Sequence, residues 1–385
     1  MKTVIHIWQG TYPREVRIDK INDSLKAKGY EVHVLCRQFP ENQKRPDHEI
    51  IDGVHIHRLN RTVSSPFPWN PFWTVQLYSL CQKLKPDFIL LRDIPLAPVA
   101  VPAKKRFGIP IILDMAEHYP EAMRSWDKYK KNPILKYLVH DLKVPDFVEK
   151  NAVQNSDGIF VVCEEQKLRL IQEYAYPSNR IEVLLNTPVQ TQEIKPEKHA
   201  PEGKINFIYS GILCEDRALE YILEGFDLAY KKDKRLHLTL AGSGESEKKL
   251  LELKDHLNAK DAITFTGRYT PVEIEKLYNS SHFGIVSLRA NRFTEHTVAN
   301  KLFDYPSYGM PFIYTNLTPL NRIVNIMDCG ISFTPHNSQS ICDAFLKITT
   351  LDYNKLSTNG KNAISSKFNW KTDEEKLFSA VDSWI

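Results

Sequence analysis

The chain has 385 residues, of which 42% are hydrophobic and 25% are charged. Such a composition is typical of a globular protein and excludes a disordered chain, and domains of about 100–200 residues predict two of them here. The net charge of +4 is too small to indicate a nucleic-acid-binding protein by itself.

The six cysteines are scattered, and no two of them form a CxxC pair, which excludes zinc-ribbon and thioredoxin-type motifs. Cys36 and Cys163 follow apolar residues, so we expect buried thiols in a reducing compartment. The N-terminus lacks the features of a signal peptide, and no apolar run approaches the ~20 residues of a membrane helix. The sequence therefore predicts a cytoplasmic protein, with contact at the inner face of a membrane left open.

The first half of the chain alternates short apolar runs with amphipathic stretches. Buried strands are predicted at residues 4–8, 31–36, 88–91, 110–114, 158–163 and 181–185. Helices are predicted between them at residues 16–28, 71–84, 98–107, 134–154 and 166–175. Residues 49–59 interrupt this rhythm with two extended runs around Asp52-Gly53, which predicts a hairpin.

A polar stretch without apolar periodicity, residues 186–204, is interpreted as an interdomain linker. Strands are predicted again at residues 205–210, 236–241, 263–266, 283–288, 312–315 and 331–333. Thr270, Pro271 and Glu273 form a capping box with Pro at the first helical position, so a helix begins there. Another helix is predicted at residues 371–384.

The alternation predicts an α/β fold of two Rossmann-like halves around a cleft, in which ligands bind at the carboxyl ends of strands. We assign an N-terminal Rossmann-like domain to residues 1–190 and a C-terminal Rossmann-like domain to residues 200–367. Residues 368–385 are expected to pack back on the first domain.

Several chemistries are excluded by missing motifs: the sequence has no P-loop, no HExxH, no GxSxG and no DxD pair for a metal-bound diphosphate. The 13 histidines show no metal-ligand spacing. His55 and His57 share one face of a predicted strand, and a solvated hairpin face is favoured there over a metal site. We therefore expect no metal and no cofactor.

Gly242-Ser243-Gly244 follows a predicted strand and precedes a helix expected to begin near Glu245. This placement suits close approach of the backbone to a phosphate or ribose. The third glycine of GxGxxG is missing, so a tight strand–helix turn is an equally supported interpretation.

The segment 295–311 combines helix-capping and charged residues. Thr297 or Asn300 can cap a helix whose exposed N–H groups attract anions. Lys301 falls in the first turn, where a cation opposes the helix dipole, so an anionic ligand is one explanation for it. Asp304 lies one turn later on the same side, and a surface ion pair with Lys301 is the alternative.

This segment resembles the signature of the retaining family-4 glycosyltransferases, which have the GT-B fold. Lys301, Tyr305, Gly309 and Pro311 match the pattern, and Asp304 stands where the family has Glu. The resemblance implies that Lys301 contacts the diphosphate of a nucleotide-sugar donor and that Asp304 binds the ribose hydroxyls.

Further blocks resemble the family in the same order. Residues 209–217 resemble the segment that opens the donor domain, with Arg217 as the second diphosphate cation; residues 240–244 resemble a glycine turn, and residues 265–269 the nucleobase loop. The implied donor-binding residues are Gly211, Gly242, Gly244, Gly267, Arg268, Tyr269, Glu295, His296, Thr297, Val298, Ala299, Asn300 and Asp304.

In the first half, residues 11–17 resemble the acceptor-side loop of the family and residues 114–121 resemble its D-x-x-D/E-x-x-P-E block. Glu117 and His118 are candidates for positioning the acceptor hydroxyl or contacting the donor sugar. The other acceptor-side candidates are Gly10, Arg17, Trp69 and Trp73.

The aromatic and proline-rich stretch 65–73 either folds onto its own domain, which is the favoured interpretation, or contacts a membrane or lipid-linked acceptor. The basic run 128–131 is either a solvated loop or a site for anionic headgroups.

The chain departs from the family at His296, where a Glu is expected, at Ile212, where Arg is frequent, and at Pro306, which should end or kink its helix. The resemblance implies a metal-independent hexosyltransferase that uses a UDP- or GDP-linked sugar and a sugar or lipid-linked acceptor, with retention, in surface polysaccharide or glycoconjugate synthesis. A hydrolysing nucleotide-sugar epimerase and a non-catalytic nucleotide-binding subunit are the alternatives.

Overall fold

The structure, a computed structural model, describes residues 2–13, 15–60, 70–189 and 198–385. It divides into two compact units. The N-terminal unit comprises Met1–Asn186 and Trp370–Ile385, and the C-terminal unit comprises Thr187–Asn369. Each unit is built around its own sheet. Within the described ranges, no helix is long and apolar enough to cross a membrane.

The N-terminal unit has an eight-stranded sheet in the order β3-β4-β2-β1-β5-β6-β7-β8, parallel except for the antiparallel pair β3–β4. Its strands are β1 (Lys2–Thr11), β2 (Tyr30–Arg37), β3 (His48–Ile51), β4 (Val54–Leu59), β5 (Phe88–Arg92), β6 (Ile111–Met115), β7 (Gly158–Val161) and β8 (Ile181–Val183). The predicted hairpin around Asp52-Gly53 is confirmed as β3–β4.

The helices of the N-terminal unit include one from the C-terminus of the chain. They are α1 (Val16–Ala27), α2 (Pro71–Leu84), α3 (Ala97–Phe107), α4 (Tyr119–Ser125), α5 (Asp127–Lys131), α6 (Pro133–Lys136), α7 (Val144–Asn155), α8 (Glu164–Tyr174) and α16 (Trp370–Trp384). Trp370, Leu377 and Trp384 of α16 join the hydrophobic core that β1, β2 and α1 form, which fixes this helix to the N-terminal unit.

The C-terminal unit has a parallel six-stranded sheet in the order β11-β10-β9-β12-β13-β14. Its strands are β9 (Ile205–Ser210), β10 (Leu236–Ala241), β11 (Ile263–Gly267), β12 (Phe283–Val286), β13 (Phe312–Thr315) and β14 (Gly330–Phe333). Its helices are α9 (Leu219–Lys232), α10 (Glu247–Asp255), α11 (Pro271–Ser280), α12 (Lys301–Ser307), α13 (Thr318–Met327), α14 (Ser338–Ile348) and α15 (Tyr353–Ser366).

Local sequence signals account for most of these elements. β5 and β6 are buried along their whole length, as expected for parallel strands covered on both faces. The capping box at Thr270 and Glu273 is confirmed at the start of α11. In both units the βα alternation gives a Rossmann-like sheet, so the predicted α/β fold of two Rossmann-like domains is confirmed.

The predicted single helix over 134–154 is wrong. The chain instead forms α6, a π-helical turn (Tyr137–Asp141) and then α7. Lys143 adopts a left-handed conformation with φ of 50°, and Pro145 follows in the first turn of α7. A left-handed residue interrupts the helical path, and a proline cannot donate a backbone hydrogen bond to the preceding turn.

Candidate functional site

A pocket of about 170 Å³ lies in the C-terminal unit where β9 and β12 end. This is the edge of a parallel sheet where ligands of such folds bind. Two side-chain cations, Arg217 and Lys301, contribute to its wall together with Gly211, Ala299 and Asn300. Its other lining residues are Tyr209, Ser210, Ile212, Ile285, Val286 and Ser287.

Arg217 ends a short 3-10 turn (Glu215–Arg217) that precedes α9. Its backbone carbonyl accepts a hydrogen bond of 2.6 Å from the Ser287 hydroxyl. Arg289 holds the same turn: its Nε donates to the Glu215 carbonyl at 2.9 Å, and its guanidinium pairs with Glu220. Among the described residues, the Arg217 guanidinium itself has no ion-pair or hydrogen-bond partner, so its charge is available at the pocket.

Lys301 is the first residue of α12, and its Nζ lies 2.8 Å from Oδ2 of Asp304. The ion pair considered from the sequence is therefore formed in the structure. Burial disfavours the charged ammonium, but the nearby Asp304 carboxylate raises the pKa of Lys301 above its ordinary value. Lys301 therefore stays protonated at neutral pH, and its Nζ also lies 5.7 Å from the centroid of the Tyr278 ring.

The glycine loops pack on each other. A Cβ on Gly242, whose φ is 142°, would lie 1.8 Å from the Gly211 carbonyl oxygen, and a Cβ on Gly244 would lie 2.3 Å from that of Leu213. Hydrogen bonds from Gly211 N–H to the Ala241 carbonyl and from Leu213 N–H to the Ser243 carbonyl join the same loops. Gly242 and Gly244 therefore let the loop that carries Gly211 sit at the pocket wall.

The predicted nucleobase loop lies beside these glycines. Gly267 accepts a backbone hydrogen bond of 2.9 Å from Gly242, and Nε of Arg268 donates to the Ser243 hydroxyl at 3.0 Å. Tyr269 is close enough to Lys301 to contribute to its raised pKa, after the larger effects of burial and Asp304. The helix after Gly244 begins at Glu247, two residues later than predicted.

The predicted donor residues 295–300 are divided by the structure. Ala299 and Asn300 line the pocket. The Glu295 carboxylate instead accepts a 3.1 Å hydrogen bond from the N–H of Thr318 at the start of α13, and the His296 ring contacts the Arg292 carbonyl. Thr297 and Val298 follow in extended or irregular backbone before α12 and are not among the lining residues.

The expected N-terminal cap of α12 is not formed. Neither Thr297 nor Asn300 caps the helix with its side chain, and α12 has seven residues that end just after Pro306. Such a short helix has a small dipole. The positive character of the pocket therefore comes from the Arg217 and Lys301 side chains.

Three hydroxyl groups under the pocket were given no role by the sequence: those of Ser210, Tyr278 and Tyr305. The Tyr305 hydroxyl accepts from the Ser210 backbone N–H at 3.1 Å and lies 3.3 Å from the Ile285 carbonyl. The Ser210 hydroxyl lies 2.7 Å from that of Tyr278. These bonds join β9, β12, α11 and α12, so they fix the pocket wall; the match of Tyr305 to the family signature was the available signal.

Arg17, predicted on the acceptor side, is not accessible to an acceptor. Its side chain is 1% exposed and donates from Nε and Nη2 to the Asp114 carboxylate, with a shortest distance of 2.6 Å. Its Nη1 donates to the Leu184 carbonyl at 2.8 Å. Because the whole guanidinium is occupied within the core, any role of Arg17 on the acceptor side is indirect, and that role stays a prediction.

The other first-half candidates are placed differently from one another. His118 is buried directly before α4, and Glu117 beside it is half-buried. Gly10 is half-buried near the end of β1. Trp73 lies in α2 and is 1% exposed, which agrees with the favoured interpretation that it folds onto its own domain; its acceptor-side role stays a prediction. Trp69 lies outside the described residues.

An apolar pocket of about 410 Å³ lies among α4 to α7 of the N-terminal unit. Tyr119, Met123, Ile134 and Leu138 contribute to its lining, together with the stem of Lys128. Ile134 is 73% exposed although it is aliphatic. An exposed apolar surface of this kind is typical of a binding site.

The spacing of the histidines along the sequence indicated no metal site, but the structure brings four of them together. His33, His48, His55 and His57 stack beside one another on the sheet edge, with ring centroids 4.6 Å apart for His33 and His55. Their ring nitrogens and the Glu31 carboxylate lie close together.

The described geometry can now be compared with known proteins. Residues 15–187 match the family described as Glycosyltransferase Family 4, and residues 190–364 match Glycosyl transferases group 1. An uncharacterized glycosyltransferase of Methanocaldococcus jannaschii is 22% identical over 384 residues, which cover 90% of this chain and 88% of the relative.

Several solved structures are similar to this chain in fold. A sucrose-phosphate synthase from Thermosynechococcus elongatus superposes with a TM-score of 0.80 at 15% identity, over 100% of this chain and 99% of the other. HepE of Anabaena in complex with UDP-glucose gives 0.73 at 12% identity, over all of both chains. WaaG, a glycosyltransferase involved in lipopolysaccharide biosynthesis, gives 0.70 at 11% identity, over 98% and 99% of the two chains. These likenesses show a shared fold of the GT-B type.

Proposed function

Because the chain belongs to the group 1 glycosyltransferases of family 4, we propose that it transfers a hexosyl group from a nucleotide-diphosphate sugar to a sugar or lipid-linked acceptor. The observation that carries the donor assignment is the pair of cations at one pocket: Arg217 lacks a counter-ion among the described residues, and Lys301 has a single carboxylate, Asp304. A nucleoside diphosphate supplies the missing negative charge.

Bond breaking at the anomeric carbon leaves negative charge on the departing diphosphate. Arg217 and Lys301 stabilise this charge more strongly as it develops, which is the condition for a contact to accelerate the reaction. The ion pair between Asp304 and Lys301 weakens when the donor binds, and the Asp304 carboxylate accepts hydrogen bonds from the ribose hydroxyls. These two cations take the place of a divalent ion, so the transfer is metal-independent.

The donor is a UDP- or GDP-linked sugar. Besides the two cations, the residues that contact it are Gly211, Ala299 and Asn300 at the pocket, and Arg268 and Tyr269 of the neighbouring loop. The complex of HepE with UDP-glucose supports this class of donor. Retention of configuration follows from attack on the same face from which the diphosphate leaves, without a carboxylate nucleophile. Glu117 and His118 position the acceptor hydroxyl.

The acceptor is lipid-linked in this proposal, and the protein contacts an anionic membrane surface at the inner face through α5 and α6. Lys128 lines the apolar pocket there, and the same stretch of chain carries further exposed lysines: Lys130, Lys131, Lys136 and Lys143. Ile134 and Tyr137 are 73% and 55% exposed between them. Basic side chains attract anionic headgroups while apolar ones enter the interface. Synthesis of a surface polysaccharide or glycoconjugate is the matching process.

The family matches do not favour the epimerase or the non-catalytic subunit. The test is a thermal-shift panel of UDP, GDP, TDP and CMP, because a bound nucleotide raises the unfolding temperature by mass action. We expect UDP or GDP to raise it and CMP to leave it unchanged. No shift with any diphosphate contradicts the donor site.

The nucleotide that binds is then supplied as its sugar conjugate, in EDTA, with lipid-linked or water-soluble acceptor sugars. We expect transfer to the lipid-linked acceptor and full activity in EDTA. Conversion of the donor without any acceptor supports an epimerase instead. Activity that disappears in EDTA and returns with Mg²⁺ contradicts the role given to the two cations.

A further inference from the structure

The free edge of the N-terminal sheet carries a cluster of imidazoles that the proposed transfer does not use. The parallel register of β2 and β4 pairs His33 with His55, and the antiparallel register of β3 and β4 pairs His48 with His57. Because side chains alternate between the two faces of a strand, Glu31 and His33 on β2 share one face with His55 and His57 on β4. The pleat and the register thus gather residues from three strands.

Three ligand atoms of this cluster converge. Nε2 of His33 lies 3.3 Å from Oε1 of Glu31, and Nε2 of His55 lies 3.7 Å from the same oxygen. One ligand atom from each of the three residues lies within 4.8 Å of the others. Bonds of about 2.0–2.2 Å from zinc to nitrogen and oxygen place neighbouring ligands of a tetrahedral ion about 3.3 Å apart. Two of the pairs are already near that spacing.

A second, independent observation concerns the His33 ring. Its side chain is buried, and within the described part of the chain Nε2 makes no well-aligned hydrogen bond despite its short distance to Glu31. Its Nδ1 lies 3.0 Å from Nε2 of His57. If Nδ1 carries the proton and donates to His57, the lone pair of Nε2 points towards Glu31. A hydrogen bond to the far nitrogen is how metal-ligating histidines are usually oriented.

We propose that Glu31, His33 and His55 form a binding site for one divalent transition-metal ion of the zinc type, separate from the donor pocket. Two imidazole nitrogens and one carboxylate oxygen are ligands that suit Zn²⁺, and three protein ligands leave a fourth position for water. The ion joins the edge hairpin β3–β4 to β2, so its expected effect is on the stability of the N-terminal unit.

The test uses the full chain without a polyhistidine tag, freed of metal by a chelator and titrated calorimetrically with Zn²⁺ alone. We expect one equivalent to bind and the unfolding temperature to rise. His55→Gln, a half-buried position that tolerates change better than His33, should weaken Zn²⁺ binding at least about tenfold, in line with the loss of ligand contacts. Glu31→Gln should weaken it as well.

The matched control is His256→Gln, an exposed histidine of the C-terminal unit, which should bind Zn²⁺ as the wild type does. Circular dichroism confirms that each variant is folded before titration. The proposal is overturned if the wild type takes up no stoichiometric Zn²⁺. It is equally overturned if His55→Gln and Glu31→Gln bind like the wild type, because the ion then sits elsewhere. Neither outcome affects the donor pocket, whose test uses nucleotides.

Discussion

Each unit has its own Rossmann-like sheet, but the charged side chains at the carboxyl ends of the strands are paired differently in the two units. In the N-terminal unit Arg17 and Arg92 pair with Asp114 at 2.6 and 3.2 Å, and Arg92 also pairs with Glu15 at 3.3 Å. Arg92 also lies 3.7 Å from the Asp93 carboxyl group, so two buried cations meet three carboxyl groups. In the C-terminal unit the corresponding edge carries glycine loops and hydroxyl groups, and of its two cations only Lys301 pairs with a carboxylate, that of Asp304.

In the N-terminal unit the charges at this sheet edge stabilise the fold, whereas in the C-terminal unit they are available to bind a ligand. Charges that are buried and mutually paired can satisfy each other without a ligand, and removing one partner is then a cost to stability. Cations with too few counter-ions leave an attraction for an anion that arrives from solution. We therefore expect charged side chains to contribute mainly to stability in the N-terminal unit and to ligand binding in the C-terminal unit.

The largest expected effect is on the N-terminal edge. Asp114→Asn should lower the free energy of unfolding by about 3–5 kcal/mol, because it leaves Arg17 and Arg92 buried without their common carboxylate. Urea unfolding followed by tryptophan fluorescence measures the change. Asp233→Asn is the control: its pair with Arg235 is on the surface, so it should cost less than about 1 kcal/mol. Equal losses in the two variants would show that the buried pairs contribute nothing special.

The second prediction concerns the C-terminal edge. Lys301→Ala should weaken binding of the nucleoside diphosphate and slow transfer by a factor on the order of 10²–10³, the usual effect of one electrostatic contact to a developing charge. Calorimetry and the transfer rate are measured together with Lys248→Ala, whose side chain is 91% exposed on α10.

The control variant should bind nucleotide and turn over as the wild type does. If Lys301→Ala also behaves as the wild type, then Lys301 is only the surface partner of Asp304. An exposed pair of that kind contributes about 0–1 kcal/mol to stability, and the proposed donor site loses one of its two cations.

Local signals made much of the fold predictable. The strands β9, β10 and β13 have the bounds that the apolar runs indicated, and the capping box marked the start of α11. The cations of the pocket were also recognisable, since each stands near a strand end in a family-like block. Where the sequence analysis failed, as in the helix over 134–154, one backbone conformation at Lys143 changed the path.

Contacts between distant residues could not be predicted in the same way. Arg17 and Asp114 are 97 residues apart, and no local pattern shows that the guanidinium is buried against that carboxylate. The histidine cluster depends on the register of three strands, of which the sequence shows only the i, i+2 pair His55 and His57. Both features arise from tertiary packing, which determines which polar groups must satisfy each other.

The third prediction concerns how the stability of the N-terminal unit depends on pH. Burial lowers the pKa of His6 on β1 to about 4, opposed by its hydrogen bond to Asn22. Between its ordinary pKa of about 6.5 and this value the unfolded chain binds the proton more readily, so stability is lost as pH falls, by about 3 kcal/mol in all. His6→Gln should show a correspondingly smaller loss in urea unfolding between pH 7 and 4.

Charged neighbours shape this response. Asp114, Arg92 and Glu15 face His6, and burial raises the pKa of Asp93 to about 6. Because the folded state holds that carboxyl proton more readily, Asp93 adds stability as pH falls below 6 and opposes His6. Asp93 is present in both proteins, so the difference between their pH profiles isolates His6. Parallel profiles would remove His6 as a source of acid sensitivity.

The smallest expected effect concerns Lys198, a buried cation of the C-terminal unit that lies in the predicted linker. The ammonium of Lys198 donates to the backbone carbonyls of Tyr278, Asn279 and Ser281, at 2.8 Å for Asn279 and 2.7 Å for Ser281. These carbonyls end α11, where the last turn of a helix lacks internal donors. Residue 198 is therefore fixed to the C-terminal unit, although composition placed it in a linker.

Lys198→Met keeps a long apolar stem and removes the three donated bonds, so it should destabilise the protein by about 1–3 kcal/mol through unsatisfied carbonyls. Lys204→Met, at an exposed position of the same stretch, should change the free energy of unfolding by less than about 0.5 kcal/mol. Urea unfolding compares the two variants, and nucleotide affinity should be equal in both. If Lys198→Met leaves the free energy of unfolding unchanged, water replaces the ammonium group as a donor to the carbonyls without loss of stability. A decrease in the free energy of unfolding close to that of Asp114→Asn would mean that backbone carbonyls stabilise a buried charge as strongly as a carboxylate does. The two edges would then differ only in that Arg217 and Lys301 are available to a ligand.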